Sequence, residues 1–257
     1  MAGIPKKPAD IFEPFCTDYE ELFGPDLLSV ILYGSCARGE YIPKKSDINF
    51  MLLLTDAGIS RLGKALKLTE KWSHRAVATP LFLTRAYIET SLDTFPIEML
   101  NFQTAYQVLR GEDPLKNLVF DRHMLRLQCE RELKGKLLQL REQFLGTAGN
   151  KSRIKDLITR SLPTFLAIFQ GVVHLHEKPA QQSRENLLNT MQELLSLNRS
   201  LFAELYAVRD EKIRPNANEA ITLMERYIEE VRRLALAVDS LDETDAKTTS
   251  KKDDTTL

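Results

Sequence analysis

The chain has 257 residues, 43% hydrophobic and 28% charged, which is typical of a globular protein with a sizeable core. Lys and Arg number 35 and Asp and Glu 36, so the net charge of -1 excludes a bulk field that attracts nucleic acid or anionic membranes. Three scattered cysteines argue against a disulfide framework or a zinc site, and we find no secretory signal or spanning segment. We therefore expect a cytoplasmic protein without membrane or nucleic-acid partners.

The first part of the chain mixes helical and strand patterns. Apolar residues recur at helical spacing over residues 11–23, and Gly24-Pro25 ends that helix. The remaining predictions, in chain order, are a buried strand Leu27–Tyr33, a second helix starting at Gly34-Ser35, a strand Ile48–Leu54, a helix Ser60–Trp72, a third strand Ala76–Leu83 placed at an edge or bend by Pro80, a short helix capped by Thr84, and a fourth strand Phe95–Phe102.

After residues 111–114 the strand signals stop and apolar residues recur every 3.6 positions. Long stripes begin near Leu133, Ile154, Leu187 and Ile221, and Ser200 is the expected cap of a short helix. Each stripe has to be buried, which favours an antiparallel bundle. We therefore predict an α+β fold with a mixed-sheet domain over residues 1–115, an all-α bundle over 116–241, and a disordered polar tail over 242–257.

The segment from Leu32 to Phe50 is the part of the sequence that indicates chemistry. A buried strand ends at Gly34, where the absence of a Cβ lets a ligand approach the backbone. The Ser35 hydroxyl and the N–H groups after it can hold a phosphate, and Arg38 can add positive charge. Alternation along the next strand puts Asp47 and Asn49 on one face, where their oxygen atoms can hold Mg²⁺.

This pattern resembles the nucleotidyltransferase (DNA polymerase β-like) superfamily. That superfamily has Gly-Ser, a similar gap, Asp-x-Asp, and a third carboxylate on a later strand; this chain has Gly34-Ser35 and then Asp47-Ile48-Asn49. The stretch Phe95–Leu100 is similar to the proline-apolar-glutamate segment of antibiotic nucleotidyltransferases, with Glu98 as the candidate third carboxylate. The helical second half is similar to the helical bundle that follows the nucleotidyltransferase domain in kanamycin nucleotidyltransferases.

The resemblance implies a magnesium-dependent transfer reaction. A nucleoside monophosphate passes from an NTP to a hydroxyl group of a small molecule or protein, and pyrophosphate leaves. In that scheme Gly34, Ser35 and Arg38 bind the nucleotide phosphates, while Asp47, Asn49 and Glu98 are the metal site. Asp47 and Glu98 are then the catalytic carboxylates. Helical bundles of this kind often pair, so the resemblance is also compatible with a homodimer.

Asn49 stands where the superfamily pattern has a second aspartate. An amide oxygen carries no charge, so its replacement of a carboxylate weakens a Mg²⁺ site. Two hypotheses therefore stay open: an enzyme that transfers nucleotides, and a lapsed enzyme that binds a nucleotide or a protein. A plainer alternative is that Gly34-Ser35 is an ordinary turn and that Arg38 pairs with Glu40 on the surface.

Overall fold

The computed structural model describes residues 3–181 and 183–241. The chain divides into two compact units, Met1–Val119 and Phe120–Leu257. The first contains a four-stranded mixed sheet with helices, and the second is helical in its described residues. The predicted α+β class is therefore confirmed. The polar tail predicted to be disordered lies outside the described residues.

The sheet of the first unit has the strand order β3-β2-β1-β4. The strand β1 is antiparallel to both neighbours, whereas β3 runs parallel to β2 and forms one edge. The predicted first strand has the predicted bounds; its apolar run is interrupted by Ser29, and residues 29–32 are buried, so both faces of the strand are covered. The four strands are β1 (Leu27–Tyr33), β2 (Asn49–Leu54), β3 (Leu81–Leu83) and β4 (Tyr106–Gly111).

Aromatic side chains pack the first helix onto one face of this sheet. Phe15 stacks on Phe50 of β2 with ring centroids 3.9 Å apart, and the Trp72 ring meets Phe15 edge-on at 5.3 Å. All three rings are buried, so this cluster anchors the sheet that carries the candidate site. The helices of this unit are α1 (Phe12–Phe23), α2 (Asp56–Ile59), α3 (Leu66–Ser73), α4 (Arg85–Thr90) and α5 (Pro96–Thr104).

The predicted fourth strand over Phe95–Phe102 is wrong, because this stretch is helix α5. Pro96 occupies the first turn, where its missing N–H is not needed. The residues at 96, 97, 99 and 100 are buried and 98 is exposed, which is the spacing of a helix face and not the alternation of a strand. The fourth strand is β4, which starts after Ala105.

Three further expectations for the first unit need correction. Residues 34–39 form a series of turns and not the predicted second helix. The predicted helix Ser60–Trp72 is a 3₁₀ turn, Leu62–Ala65, followed by α3. The predicted strand Ala76–Leu83 shortens to β3 plus one bridge from Val77 to Ile48, because Pro80 interrupts the ladder.

In its described residues the second unit contains helices that bury apolar stripes, as the sequence predicts. Helix α7 is continuous through Pro163, and α6 packs against both α7 and α10. The cap of α9 is Asn198, whose side chain accepts from the Leu201 N–H, and not the predicted Ser200. The helices are α6 (Arg122–Gly146), α7 (Lys151–Leu175), α8 (Arg184–Leu195), α9 (Arg199–Arg209) and α10 (Ala217–Asp239).

Candidate functional site: a turn at the end of the first strand

The backbone reverses direction at Gly34, directly after β1. Gly34 has φ 77°, a left-handed conformation that costs an L-residue about 1 kcal/mol or more. Its N–H donates to the Ala105 carbonyl at 3.0 Å, and its carbonyl accepts from the Arg38 N–H at 3.2 Å. Both bonds fix the turn at the end of the sheet, so the sequence requirement for glycine at 34 is conformational.

Three successive N–H groups of this turn have no acceptor among residues 3–181 and 183–241. They belong to Ser35, Cys36 and Ala37, whereas the next three, at 38, 39 and 40, donate to the carbonyls of residues 34, 36 and 35. Consecutive free N–H groups that follow a left-handed residue form a concave donor surface suited to an anion. The turn therefore supplies a candidate phosphate cradle even though no helix begins here.

The start of β2 forms the wall beside this turn. Asn49 pairs with Tyr33 across the sheet, and the Asn49 amide nitrogen lies 3.6 Å from the position of a Cβ on Gly34. The Cys36 thiol donates to the Asp47 carbonyl at 3.4 Å. Asp47 is exposed and Asn49 half-buried. The structure thus brings the Gly34–Ala37 turn and the segment 47–49 together.

The charged groups at the turn are few. Arg38, which the resemblance assigns to phosphate binding, forms an ion pair with Glu40 at 3.0 Å. This is the surface pairing expected if the turn is an ordinary one, and both residues are exposed. Burial raises the pKa of the Cys36 thiol, so it remains protonated at neutral pH and acts as a donor. Asp47 is therefore the acidic group that the sheet itself places beside the donor surface.

Glu98 does not lie on a strand of the sheet. It is exposed in the first turn of α5, where an acidic side chain complements the positive end of the helix. The third carboxylate of the resembled pattern is expected on a strand next to Asp47. The segment that hydrogen-bonds to Ile48, just before β3, has small residues there instead: the Ile48 N–H donates to the Ala76 carbonyl at 2.8 Å, and the Ala78 N–H donates to the Ile48 carbonyl at 3.0 Å.

The donor set at the turn does not fit a pair of magnesium ions. Asp47 is charged, Asn49 is neutral, and residues 76–83 of the neighbouring segment contain no carboxylate. Across residues 3–181 and 183–241 there is no group of three or more His, Cys, Asp or Glu side chains arranged to hold a metal ion. Magnesium is held chiefly by carboxylates, so the step that the resemblance implies has no matching site in the described chain.

A cavity of about 530 Å³ lies at the other end of the same sheet. Its lining includes Arg85 and Glu112, which form a two-bond ion pair that lowers the pKa of the Glu112 carboxyl. Glu112 follows β4 beyond Gly111, which pairs with Ser29, whereas the turn follows Tyr33. Four strand residues separate these ends, roughly 13 Å, so the cavity is distinct from the turn. No motif in the sequence predicts this cavity.

In the described residues no helix has the length and apolarity needed to cross a membrane. No protein-family model and no curated protein matches the sequence. Among solved structures, the chain is similar to spectinomycin adenyltransferase AAD(9) from Enterococcus faecialis, determined with ATP and spectinomycin. The identity is 12%, the TM-score 0.45, and the match covers 86% of this chain and 98% of that one. A similarity at this level supports no statement about activity.

Proposed function

We propose that the first unit binds the phosphate groups of a nucleoside triphosphate at the Gly34–Ala37 turn, without magnesium and without nucleotidyl transfer. The observation that carries the proposal is the run of three N–H groups, at Ser35, Cys36 and Ala37, that have no acceptor in the described chain. Backbone donors of this kind bind phosphate oxygens without a metal.

The charge around the turn supports binding over transfer. A two-metal reaction needs several carboxylates to hold the cations that neutralise the triphosphate. Here Asn49 is an amide, Glu98 is exposed on a helix, and Ala76 and Ala78 occupy the segment that hydrogen-bonds to Ile48. Each missing carboxylate removes a group that repels a phosphate in the absence of metal. The Asn49 amide nitrogen, near Gly34, is itself a hydrogen-bond donor.

A second candidate is magnesium-dependent nucleotidyl transfer to a hydroxyl group. The observation that favours it is the position of Asp47, an exposed carboxylate in the segment that contacts the turn through Cys36. In that scheme Asp47 holds Mg²⁺, with Asn49 contributing its amide oxygen. The acceptor is then a small molecule or a protein.

The substitution Asp47→Asn separates the two candidates, because they predict opposite signs. Without a metal, Asp47 repels the phosphates. A unit charge about 6 Å away in water-like surroundings contributes about 0.7 kcal/mol, or about threefold in affinity. Calorimetry with ATP, GTP, CTP and UTP in EDTA is therefore expected to show tighter binding by the variant. If Asp47 holds Mg²⁺, the variant loses the affinity that Mg²⁺ adds to the wild-type protein.

The matched control is Asp56→Asn, which removes the same charge beyond the other end of β2. It is expected to leave affinity unchanged in both buffers. Weaker nucleotide binding by Asp47→Asn in Mg²⁺, together with transfer of a radiolabelled nucleotide by the wild-type protein, would establish the second candidate. Absence of nucleotide binding by the wild-type protein in both buffers would refute the proposal.

A further inference from the structure

A cavity of about 240 Å³ lies between α6 and α7 in the helical unit. The two helices are antiparallel neighbours, and the Cys129 thiol contacts the Ile168 carbonyl at 3.9 Å. Lys136 lies two turns after Cys129 on α6, and Arg160 lies about two turns before Ile168 on α7. Because the helices are antiparallel, this register brings Lys136 and Arg160 to the same level of the helix pair. Both side chains line the cavity.

The wall of this cavity is cationic and contains no acidic residue. Neither Lys136 nor Arg160 forms an ion pair with any residue in 3–181 or 183–241. The Lys136 ammonium has a long contact of 3.5 Å with the Gln139 side-chain oxygen, and the Arg160 Nε donates to the Asp156 carbonyl at 3.3 Å. The terminal nitrogens of Arg160 remain available. The other polar lining residues are Gln143, Ser161 and Thr164.

Other cations of the same helices have carboxylate partners. Lys134, half a turn before Lys136, pairs with Glu130, and Lys155 pairs with Glu211. A surface lysine or arginine without a counter-charge is ordinary, but two of them at one level of a concave groove are not compensated locally. Their mutual repulsion falls when an anion lies between them, so the arrangement favours a negatively charged ligand.

The floor of the cavity is apolar. Leu140, Leu157 and Phe165 are buried and line it below the polar wall. An apolar floor excludes water from one side of the groove and strengthens charge-assisted hydrogen bonds to the cations. The guanidinium of Arg160 can bind two oxygens of a phosphate side by side, and the ammonium of Lys136 can bind a third.

We propose that this cavity binds the phosphate group of a small phosphomonoester between Lys136 and Arg160. The site lies wholly within the second unit and does not depend on the turn at Gly34. The amide side chains of Gln139 and Gln143 supply further donors at the rim.

The probes for the test are inorganic phosphate and phenyl phosphate at constant ionic strength. Binding is followed by the NMR cross-peak of the Arg160 Nε–H, which reports on this cavity alone. The cross-peak is expected to shift in a saturable manner with both probes, because both carry the phosphate group that lies between the two cations. A cross-peak that does not move with either probe would overturn the proposal, and this measurement needs no variant.

The double variant Lys136→Gln with Arg160→Gln tests the two cations by calorimetry. It is expected to weaken binding of phenyl phosphate at least about tenfold. The matched control is Arg131→Gln with Arg153→Gln, which removes the same charge from exposed positions of the same helices outside the cavity. Equal loss in both double variants would mean that the anion responds only to the total charge of the unit, and the proposed site would be wrong.

Discussion

The substitution Gly111→Ala is expected to destabilise the first unit far more than a glycine substitution normally does. Gly111 ends β4 with φ 76°, which costs alanine about 1 kcal/mol or more. A Cβ at this position would also lie 1.9 Å from the Leu28 carbonyl oxygen and 3.0 Å from the Ser29 Cα. These are backbone atoms of β1, so no side-chain rotation relieves the overlap. The strand pairing itself has to shift, and we expect a total loss of roughly 3 to 5 kcal/mol.

Gly39→Ala is the control that isolates the conformational part of this cost. Gly39 has φ 77°, almost the value at Gly111, but no atom lies within 4 Å of the added Cβ. We therefore expect a loss of about 1 kcal/mol for this variant. The comparison separates the close approach of two strands from the left-handed backbone that both glycines share.

Trp72 provides the assay for both variants. It is the sole tryptophan of the chain and is buried in the first unit, so its fluorescence during urea unfolding reports on that unit and not on the helical one. Equal midpoints for Gly111→Ala and Gly39→Ala would refute the reasoning, because they would show that β1 and β4 do not approach as closely at Leu28 as the structure has them.

Two further measurements test buried or paired polar groups. Hydrogen bonding from Lys134 lowers the pKa of the Glu130 carboxyl to about 2 from an ordinary 4.5, so its contribution to stability is present above pH 4.5 and is lost as the pH falls towards 2. Because Lys134 is half-exposed, we expect an acid-induced loss of about 1 to 2 kcal/mol in the free energy of unfolding, and Glu130→Gln is expected to abolish this loss. A pH profile of stability that is the same in Glu130→Gln as in the wild-type protein would contradict this expectation. Ser29→Ala removes the hydroxyl that donates to the carbonyls of Arg110 and Glu112 at 2.9 Å and 2.7 Å. Urea unfolding is expected to show a loss of about 1 to 2 kcal/mol in the free energy of unfolding. A loss within experimental error would mean that water replaces the hydroxyl.

The elements that the sequence predicts well are those with a single consistent period. The apolar run Leu27–Tyr33 is too short for a buried helix and is bounded by a Gly-Pro turn and by Gly34, so its strand bounds agree with the structure. The long helices of the second unit have apolar stripes over many turns, and no alternating pattern competes with them.

The segment Phe95–Leu100 could not be assigned from its pattern alone. Its apolar residues fit alternation at 95, 97 and 99 and also fit one face of a helix at 96, 97, 99 and 100. Pro96 in the first helical turn is the feature that decides for the helix. The predicted strand is wrong, and Glu98 therefore lies on α5 and not on the sheet.

Contacts between distant segments explain what else was missed. The sequence predicts that a helix begins at Gly34-Ser35, and only the observed backbone hydrogen bonds reveal which N–H groups of the turn have no acceptor in the described chain. Lys136 and Arg160 lie side by side only because of the register in which α6 and α7 pack, and no local sequence pattern encodes that register.

The wild-type residues around the turn form a consistent electrostatic set. A pocket lined by three carboxylates repels a triphosphate unless cations enter with it, so such a pocket couples nucleotide binding to metal. Asn49 is neutral, and the segment that hydrogen-bonds to Ile48 has Ala76 and Ala78, so the backbone donors at Ser35 to Ala37 face the Asp47 carboxylate and not three carboxylates. The neutral side chains beside the turn therefore favour the proposed phosphate binding without metal. Asn49→Asp adds a negative charge there, and in EDTA it is expected to weaken ATP binding by about the threefold that Asp47→Asn gains.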